Sequence, residues 1–265
     1  MKLLIIQNSV KESYLDNIYN LNNLLAKTKY NKYDFIIFPE MFTTPYELKY
    51  FKKLKHTPNS KIFNYLKSIA KKYNSYVIGG SIPEADNNKI YNTSFIFNRE
   101  GKIITKYRKI HLFSVTYPDN TSFSEADVLS RGEKIITFDT EFGKMGIIIC
   151  FDIRFPLIAK KIRELGAKII FVPGAFNTYT GPLHWQTTFK ARAIDNQIFF
   201  IGASPSYYSF GNYEPYGHSL IVNPLGQVLK ELDKDEDFIE LNINLDEINK
   251  ARNSIPIVKN EVKLN

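Results

Sequence analysis

The only cysteine in the sequence, Cys150, comes directly after an apolar run of the kind that forms a buried strand. Glu40 and Lys109 stand at or just beyond the ends of two further apolar segments. A cysteine becomes a nucleophile when a base takes its proton or a positive charge stabilises the thiolate. Glu40 could take that proton, and Lys109 could stabilise the oxyanion formed when sulfur attacks a carbonyl. The residue types are compatible with such an attack, but their spacing alone does not name a reaction.

The segments around Cys150 predict how the fold positions it. The β-branched run 147–149 is typical of a strand that is covered on both faces. After Cys150 the apolar spacing becomes helical, with Pro156 suited to a first turn and Gly166 suited to a stop. We therefore expect Cys150 at a strand-to-helix junction, where free N–H groups of the helix face the group that the sulfur attacks. Strand ends of this kind are where open α/β sheets bind ligands.

Hydrophobic periodicity predicts an α/β fold along the rest of the chain. The predicted strands cover residues 2–7, 35–38, 75–82, 91–97, 102–107, 134–138, 144–150, 168–172, 198–203, 219–222, 227–229 and 238–241. The predicted helices cover residues 15–25, 45–54, 60–73, 155–165, 182–196 and 245–252. Residues 112–132 form a long polar loop of a length that is usually functional or disordered. The last dozen residues are predicted to be an extended tail.

Length and composition predict a single domain over residues 1–265, because no Ser/Gly/Pro-rich linker divides the 265 residues. Hydrophobic residues make up 44% and charged residues 23%, which is typical of a globular protein. The apolar runs are far shorter than the roughly 18 residues that a membrane span needs, and we expect no secretory signal peptide and no membrane partner. A single cysteine cannot form an intramolecular disulfide, which favours a reducing, cytoplasmic location.

The net charge of +8 has no concentrated source. The lysines are scattered, and no block of five Lys/Arg residues and no zinc-finger, RNP or P-loop motif occurs, so we predict no nucleic-acid partner. The four histidines match no metal-site spacing, so neither a metal nor a cofactor is predicted. His111, His184 and His218 are interpreted as structural hydrogen-bonding residues.

Three segments of the sequence resemble the nitrilase, or carbon–nitrogen hydrolase, superfamily. They are FPEMF at 38–42, KYRKIHLF at 106–113 and GIIICFDIRFP at 146–156. The resemblance implies the four-layer α-β-β-α sandwich of that superfamily, and it implies a homodimer. It also implies a Glu-Lys-Cys triad, in which the general base, the oxyanion stabiliser and the nucleophile are Glu40, Lys109 and Cys150.

The same resemblance implies two further groups and a mechanism. The backbone N–H of Phe151 is the implied second oxyanion donor, and Glu125 is implied to help position the lysine and the substrate. Cys150 attacks the amide, ammonia leaves, and a thioester remains on the enzyme. Glu40 then activates the water that hydrolyses this thioester.

Four more segments resemble the ω-amidase branch of the superfamily. They are IGGSIPE at 78–84, PGAFNTYTGPLHW at 173–185, RAIDNQ at 192–197 and YGHS at 216–219. This branch implies hydrolysis of the terminal amide of short dicarboxylate monoamides such as 2-oxoglutaramate, 2-oxosuccinamate and succinamate. The expected partner is therefore a small-molecule amide with a distal carboxylate. Arg154 is implied to grip that carboxylate bidentately, and the residues implied to shape the pocket are Thr180, Phe176 and Tyr179.

Other interpretations of these residues remain open. A lone cysteine at the end of an apolar strand is usually an inert core residue, and Arg154 could instead pair with Asp152 or with a surface acid. The nearest alternative activity is the deaminated-glutathione amidase of the same superfamily. A catalytically silent scaffold is the alternative from another class. The net charge of +8 suggests a third and weaker alternative, a protein that binds an acidic polymer or nucleic acid.

Overall fold

Two large β-sheets form the centre of the protein in a computed structural model that describes residues 1–57, 60–208 and 213–262. The strands are β1 (Lys2–Gln7), β2 (Phe35–Ile37), β3 (Tyr76–Ile78), β4 (Ile82–Asp86), β5 (Lys89–Phe97), β6 (Ile103–Arg108), β7 (Ser114–Thr116), β8 (Ser122–Ser124), β9 (Ile136–Thr140), β10 (Gly143–Ile147), β11 (Ile169–Pro173), β12 (Phe199–Ala203), β13 (Leu220–Val222), β14 (Val228–Glu231) and β15 (Asp237–Asn242). The helices are α1 (Tyr14–Ala26), α2 (Leu48–Lys53), α3 (Lys61–Lys72), α4 (Pro156–Glu164), α5 (Gly181–Asn196) and α6 (Asp246–Ser254).

Parallel strands in both sheets end near the residues expected to do chemistry. The first sheet has the strand order β15-β1-β2-β3-β5-β4, with β6 paired to β5, and the second has the order β14-β13-β12-β11-β10-β9. Strands β1, β2 and β3 are parallel to one another, and so are β10, β11 and β12. Glu40 follows β2 and Cys150 follows β10, so both stand beyond the carboxyl ends of parallel strands, where α/β sheets bind ligands.

The alternation of side chains along the strands gives each sheet two apolar faces. Ile5 of β1 packs in a core shared with the second sheet, and in that core the rings of Phe35 and Phe171 lie 5.0 Å apart. The neighbouring Leu4 and Ile6 face a different core, which α1 and α3 complete. Helices α4 and α5 pack against the second sheet. The layers are therefore helix, sheet, sheet and helix, which confirms the predicted four-layer α-β-β-α sandwich.

A double glycine at 79–80 divides the strand predicted over residues 75–82 into β3 and β4. Gly80 has a φ of +54°, and a Cβ at this position would lie 2.2 Å from the carbonyl oxygen of Pro39. Only glycine lets the chain pass this close to the segment that carries Glu40. The N–H of Ser81 then donates to the same Pro39 oxygen at 3.1 Å. The break in the strand therefore supports the Glu40 loop.

Three other segments differ from a simple pattern of strands and helices. The polar segment 112–132 contains the β7–β8 hairpin and a 3-10 turn over Glu125–Asp127. A 3-10 turn over Cys150–Arg154 precedes α4, so the N–H groups nearest the cysteine belong to that turn rather than to the helix. The segment predicted as a tail turns at 257–260, and Glu261 pairs there with Lys160 of α4 at 2.5 Å. No helix within the described ranges is long and apolar enough to cross a membrane.

Candidate active site

Glu40, Lys109 and Glu125 form a fully buried ion cluster, although they come from three separate segments. Lys109 Nζ lies 2.9 Å from Glu40 Oε1 and 2.9 Å from Glu125 Oε2. Lys109 comes directly after β6, and Glu125 comes directly after β8. A buried charge is tolerated only when it is paired and hydrogen-bonded, so the single ammonium holds both carboxylates in place.

Two polar side chains that the sequence motifs do not indicate, Asn92 and Tyr46, complete this cluster. Asn92 Nδ2 donates to Glu40 Oε1 (2.7 Å) and to Glu125 Oε1 (3.3 Å). The Tyr46 hydroxyl donates to Glu125 Oε1 (2.7 Å) and lies 3.4 Å from Glu40 Oε1. Glu40 Oε2 is buried and has no hydrogen-bond partner among the described residues. A polar run at 92–94 within the apolar part of β5 is the sequence signal that could have indicated Asn92.

The charges in the cluster act in opposite directions on the pKa values of Glu40 and Lys109. Burial raises the pKa of Glu40, the charge of Lys109 opposes this rise, and the charge of Glu125 adds to it. Burial alone would lower the pKa of Lys109, but the charges of Glu125 and Glu40 outweigh it, and the net pKa is raised. Lys109 therefore stays protonated and positively charged, whereas Glu40 accepts a proton more readily than an exposed glutamate does.

A further buried carboxylate, Asp152, holds the turn that begins at Cys150. Cys150 has a φ of +47°, a left-handed conformation that is uncommon for residues other than glycine. Asp152 Oδ2 accepts hydrogen bonds from the N–H of Ile149 (3.0 Å) and the hydroxyl of Tyr107 (2.7 Å). Its Oδ1 accepts from the N–H of His111 (2.9 Å) and contacts the ring Nδ1 of His111 at 2.7 Å. These contacts fix the strained turn, and they give His111 a structural role.

The Cys150 side chain is a thiol at rest. Its Sγ is buried and accepts a hydrogen bond from the N–H of Ala175 at 3.5 Å. Burial raises the pKa of the thiol well above its usual value, and the charge of Glu40 raises it further while that of Lys109 lowers it. The sulfur therefore needs a base before it can attack. Glu40, whose own pKa is in turn affected by Cys150, is placed to be that base.

A small cavity lies over Cys150 and holds about 190 Å³ of empty space, part of it open to solvent. Its lining residues are Phe113, Cys150, Phe151, Arg154, Ala175, Phe176, Thr180 and Tyr213. The expected substrate-binding residues Phe151, Arg154, Phe176 and Thr180 are thus brought together at the sulfur. Tyr179 is not among them, because its half-exposed ring lies in an outer depression beside Tyr117.

Among the described residues that line this cavity, Arg154 has the one charged side chain. Its guanidinium lies over the ring of Phe176 at 4.5 Å, and its Nη1 contacts Nδ1 of His184 at 2.7 Å. In the part of the chain that the structure describes, Arg154 forms no salt bridge, and its Nε is buried without a hydrogen-bond partner. Burial lowers the pKa of Arg154, as expected for a cation partly removed from water.

The N–H of Phe151 lies in the turn that begins at Cys150, one residue after the nucleophile. The first hydrogen bond of the turn runs from the N–H of Asp152 to the carbonyl of Ile149 at 3.1 Å, so the turn does not use the N–H of Phe151. The site thus combines a thiol, a carboxylate with an unpartnered oxygen, an ammonium and this N–H. Together these groups can deprotonate the thiol, stabilise an oxyanion and protonate a leaving amine. Within residues 1–57, 60–208 and 213–262, no group of three His, Cys, Asp or Glu residues could hold a metal ion.

Comparison with known proteins gives matches over almost the whole chain. Residues 5–253 match the carbon-nitrogen hydrolase family. The sequence is 41% identical over 230 residues to "Omega-amidase NIT3" of Saccharomyces cerevisiae, covering 84% of this chain and 79% of that protein. It is 37% identical over 258 residues to "Omega-amidase NIT2" of Mus musculus, covering 97% of this chain and 94% of that protein. The crystal structure of S. cerevisiae Nit3, a member of branch 10 of the nitrilase superfamily, matches with a TM-score of 0.89 at 34% identity, covering 98% of this chain and 96% of the other.

Proposed function

The chain belongs to the carbon-nitrogen hydrolase family and is a hydrolase that acts on amides, and on that premise we propose that its substrates are short dicarboxylate monoamides. The terminal amide of 2-oxoglutaramate, 2-oxosuccinamate or succinamate is hydrolysed to the acid and ammonia. The names of the similar proteins from S. cerevisiae and Mus musculus, both omega-amidases, support this substrate class.

The observation that carries the proposal is the state of Arg154. This guanidinium lines the same cavity as Cys150 and has no carboxylate partner among the described residues. Arg154 is partly buried, and a guanidinium partly removed from water gains from pairing with a bound carboxylate. A substrate that places its amide carbon at the sulfur and its far carboxylate at Arg154 contacts both the nucleophile and the guanidinium that lacks a carboxylate partner. The expected alternative, a pair between Arg154 and Asp152, is not formed, because Asp152 holds the nucleophile turn instead.

In the acylation step, Glu40 takes the proton of the Cys150 thiol on its unpartnered oxygen, Oε2. The sulfur attacks the amide carbon, and the electron pair of the C=O bond moves onto oxygen. Collapse of this tetrahedral adduct breaks the C–N bond, and Glu40 returns the proton to the leaving nitrogen, so ammonia departs. A thioester between Cys150 and the acyl group remains. Because the pKa of the thiol is raised, proton transfer must accompany the attack.

The oxyanion is stabilised by Lys109 and by the N–H of Phe151. An ammonium has three N–H donors, and in Lys109 two of them serve the carboxylates of Glu40 and Glu125 at 2.9 Å each. The third has only a 3.4 Å contact with the Tyr46 hydroxyl, so it can turn to the substrate oxygen. One such donor is worth roughly 100- to 1000-fold in kcat.

In the second step, Glu40 removes a proton from water, and the hydroxide attacks the thioester carbon. Collapse breaks the C–S bond, releases the dicarboxylate and returns the proton to sulfur. Mass spectrometry of acid-quenched reaction mixtures tests the intermediate. An acyl group on the peptide that contains Cys150 supports it, and its absence during steady turnover argues for direct attack by water.

The similar proteins named omega-amidases favour a short substrate over a tripeptide-sized molecule such as deaminated glutathione. We therefore expect turnover of succinamate and 2-oxoglutaramate to exceed turnover of deaminated glutathione. Turnover of only the longer substrate would assign the chain to the alternative amidase activity.

Measurement of ammonia release from these three amides, with wild type and two variants, tests the proposal. We expect Cys150→Ala to lower kcat by at least about 10,000-fold, because it removes the nucleophile. Arg154→Ala should lower kcat/KM for succinamate by about 10- to 100-fold, because a hydrogen-bonded charge is lost. Lys161→Ala, which removes an exposed charge on α4, is the matched control and should leave both values unchanged.

We also propose that the chain forms the homodimer implied by the resemblance. Leu157 of α4 and Leu183 of α5 are 73% and 65% exposed, although both helices otherwise pack in the core. Apolar side chains exposed to this degree on neighbouring helices favour contact with a second copy. Light scattering on the purified chain distinguishes a dimer from a monomer.

A further inference from the structure

Arg154 is held by a histidine rather than by an acid. We propose that His184 is a positioning residue for the substrate carboxylate: it orients the Arg154 guanidinium while leaving its charge free. The inference rests on the proposed function, because it concerns how the distal carboxylate of the substrate is recognised. Nη1 of Arg154 lies 2.7 Å from Nδ1 of His184, and a guanidinium has donors only, so Nδ1 must be the unprotonated acceptor.

The backbone fixes the position of this acceptor. His184 lies in the first turn of α5, where its N–H donates to the carbonyl of Thr180 at 3.0 Å. On the other side, the ring of Phe176 lies under the guanidinium at 4.5 Å. Burial, followed by the charge of Arg154, lowers the pKa of His184, so the ring is neutral at neutral pH. The guanidinium is therefore held by an imidazole at one corner and an aromatic face below.

A neutral acceptor differs from the acidic partners used elsewhere in this protein. Arg99, Arg108, Arg163 and Arg192 each pair with a carboxylate of the chain. A carboxylate at position 184 would neutralise Arg154 and compete with the substrate for the same donors. An imidazole fixes the direction of the guanidinium without supplying a negative charge. Of these five arginines, Arg154 is the one whose guanidinium is held in place without a carboxylate that neutralises its charge.

The contact with His184 also uses one of the two terminal nitrogens of the guanidinium. Nη1 is used by the histidine, whereas Nε is buried without a hydrogen-bond partner among the described residues. Nη2 is therefore the terminal nitrogen that the contact with His184 leaves for the distal carboxylate.

The test compares succinamate with butyramide, which has the same chain length but a methyl group in place of the carboxylate. We expect His184→Ala to raise KM for succinamate by about 10- to 100-fold, as a misplaced binding group does, with kcat within about threefold and KM for butyramide unchanged. His184→Asn keeps an acceptor near the Nδ1 position and should restore most of the affinity. His184→Asp should raise KM for succinamate at least as much as His184→Ala, because its charge competes with the substrate.

The outcomes separate failure of this inference from failure of the proposed function. If wild type does not prefer succinamate to butyramide, the proposed substrate class is wrong, and this inference falls with it. If wild type prefers succinamate and His184→Ala keeps the full preference, only the role of His184 is wrong. Equal losses for both amides, or equal effects of His184→Ala and His184→Asn, would reduce His184 to a structural residue. Thermal unfolding of each variant checks that it is folded.

Discussion

The two sides of the active site differ in how their charged groups are paired. The carboxylate side is the buried ion cluster, whose members are Glu40, Tyr46, Asn92, Lys109 and Glu125. Its groups are linked by hydrogen bonds and ion pairs of 2.7 to 3.4 Å. The nucleophile side consists of Cys150, Arg154 and the cavity around them. There the N–H of Ala175 donates to the sulfur at 3.5 Å, and the guanidinium contacts the neutral ring of His184 and no carboxylate among the described residues.

The difference shows which groups are fixed in advance and which are completed by a ligand. A buried network of paired charges is rigid, and it holds those charges where they are needed throughout the reaction. A buried donor without an acceptor costs free energy that a bound ligand can recover. The carboxylate side is therefore the preformed half of the site, and the nucleophile side is the half that the substrate completes. Two atoms on the carboxylate side have no hydrogen-bond partner among the described residues: Asn92 Oδ1, and Glu40 Oε2, the oxygen assigned to proton transfer.

Lys109→Met should have the largest effect, because it breaks the carboxylate side at its centre. The substitution leaves Glu40 and Glu125 buried without their shared cation, which should lower the free energy of unfolding by about 3 to 5 kcal/mol. It also removes an oxyanion donor, so kcat should fall by at least about 100-fold even in folded enzyme. Urea unfolding and ammonia release measure the two losses separately.

Arg154→Met is the matched control on the nucleophile side. It removes a cation of similar size that has only a neutral partner, so the free energy of unfolding should change by no more than about 1 kcal/mol. A loss of stability as large as that of Lys109→Met would mean that both sides are equally preformed.

The pH dependence of kcat/KM tests the state of Glu40. The base acts only when ionised, and its pKa is raised, by burial first and also by the charge of Glu125, although Lys109 opposes the rise. Activity should therefore be lost as the pH falls, on a limb that lies above the usual range for a glutamate. Glu125→Gln removes one negative charge and should shift this limb to lower pH. A limb that does not move would mean that another group controls it.

Tyr46→Phe should have the smallest effect, because it removes one hydroxyl group from the buried ion cluster and keeps the aromatic ring. The hydroxyl donates to Glu125 Oε1 at 2.7 Å, and the ring stacks on Tyr213 at 4.4 Å. Loss of the hydroxyl should lower the free energy of unfolding by about 1.5 kcal/mol and kcat by no more than about tenfold. A loss of kcat above about 100-fold would show that this hydroxyl contacts the reacting atoms.

Much of the fold could be predicted from local patterns in the sequence. The apolar runs gave β1 and β11 within one residue, and helical spacing gave α1, α5 and α6 within two residues. Predictions were less accurate where long-range contacts decide the backbone. The strand expected over 75–82 is broken because Gly80 must pass the carbonyl of Pro39. The turn at Cys150 is 3-10 rather than α-helical, and Asp152 holds it through contacts with distant residues.

The site could be predicted only in part. Motifs indicated Glu40, Lys109, Cys150 and Glu125, and the structure places the first two and Glu125 within one ion cluster beside the sulfur. Asn92 and Tyr46 were missed because a polar side chain on a strand or loop carries no sign of its partners. Tyr179, which a neighbouring motif suggested, lies outside the cavity in the outer depression.

The sequence by itself determined the periodicity of the strands and helices, the residue types at the strand ends and the family. These depend on local spacing and on short motifs, which can be identified in the sequence without the structure. Only the tertiary structure decided which oxygen of Glu40 is unpartnered, that Asp152 holds the nucleophile turn, and that Arg154 contacts His184 instead of an acid. Each of these depends on distances between atoms that are far apart in the chain. The burial of these polar side chains and their hydrogen-bond partners are fixed only when the two sheets pack.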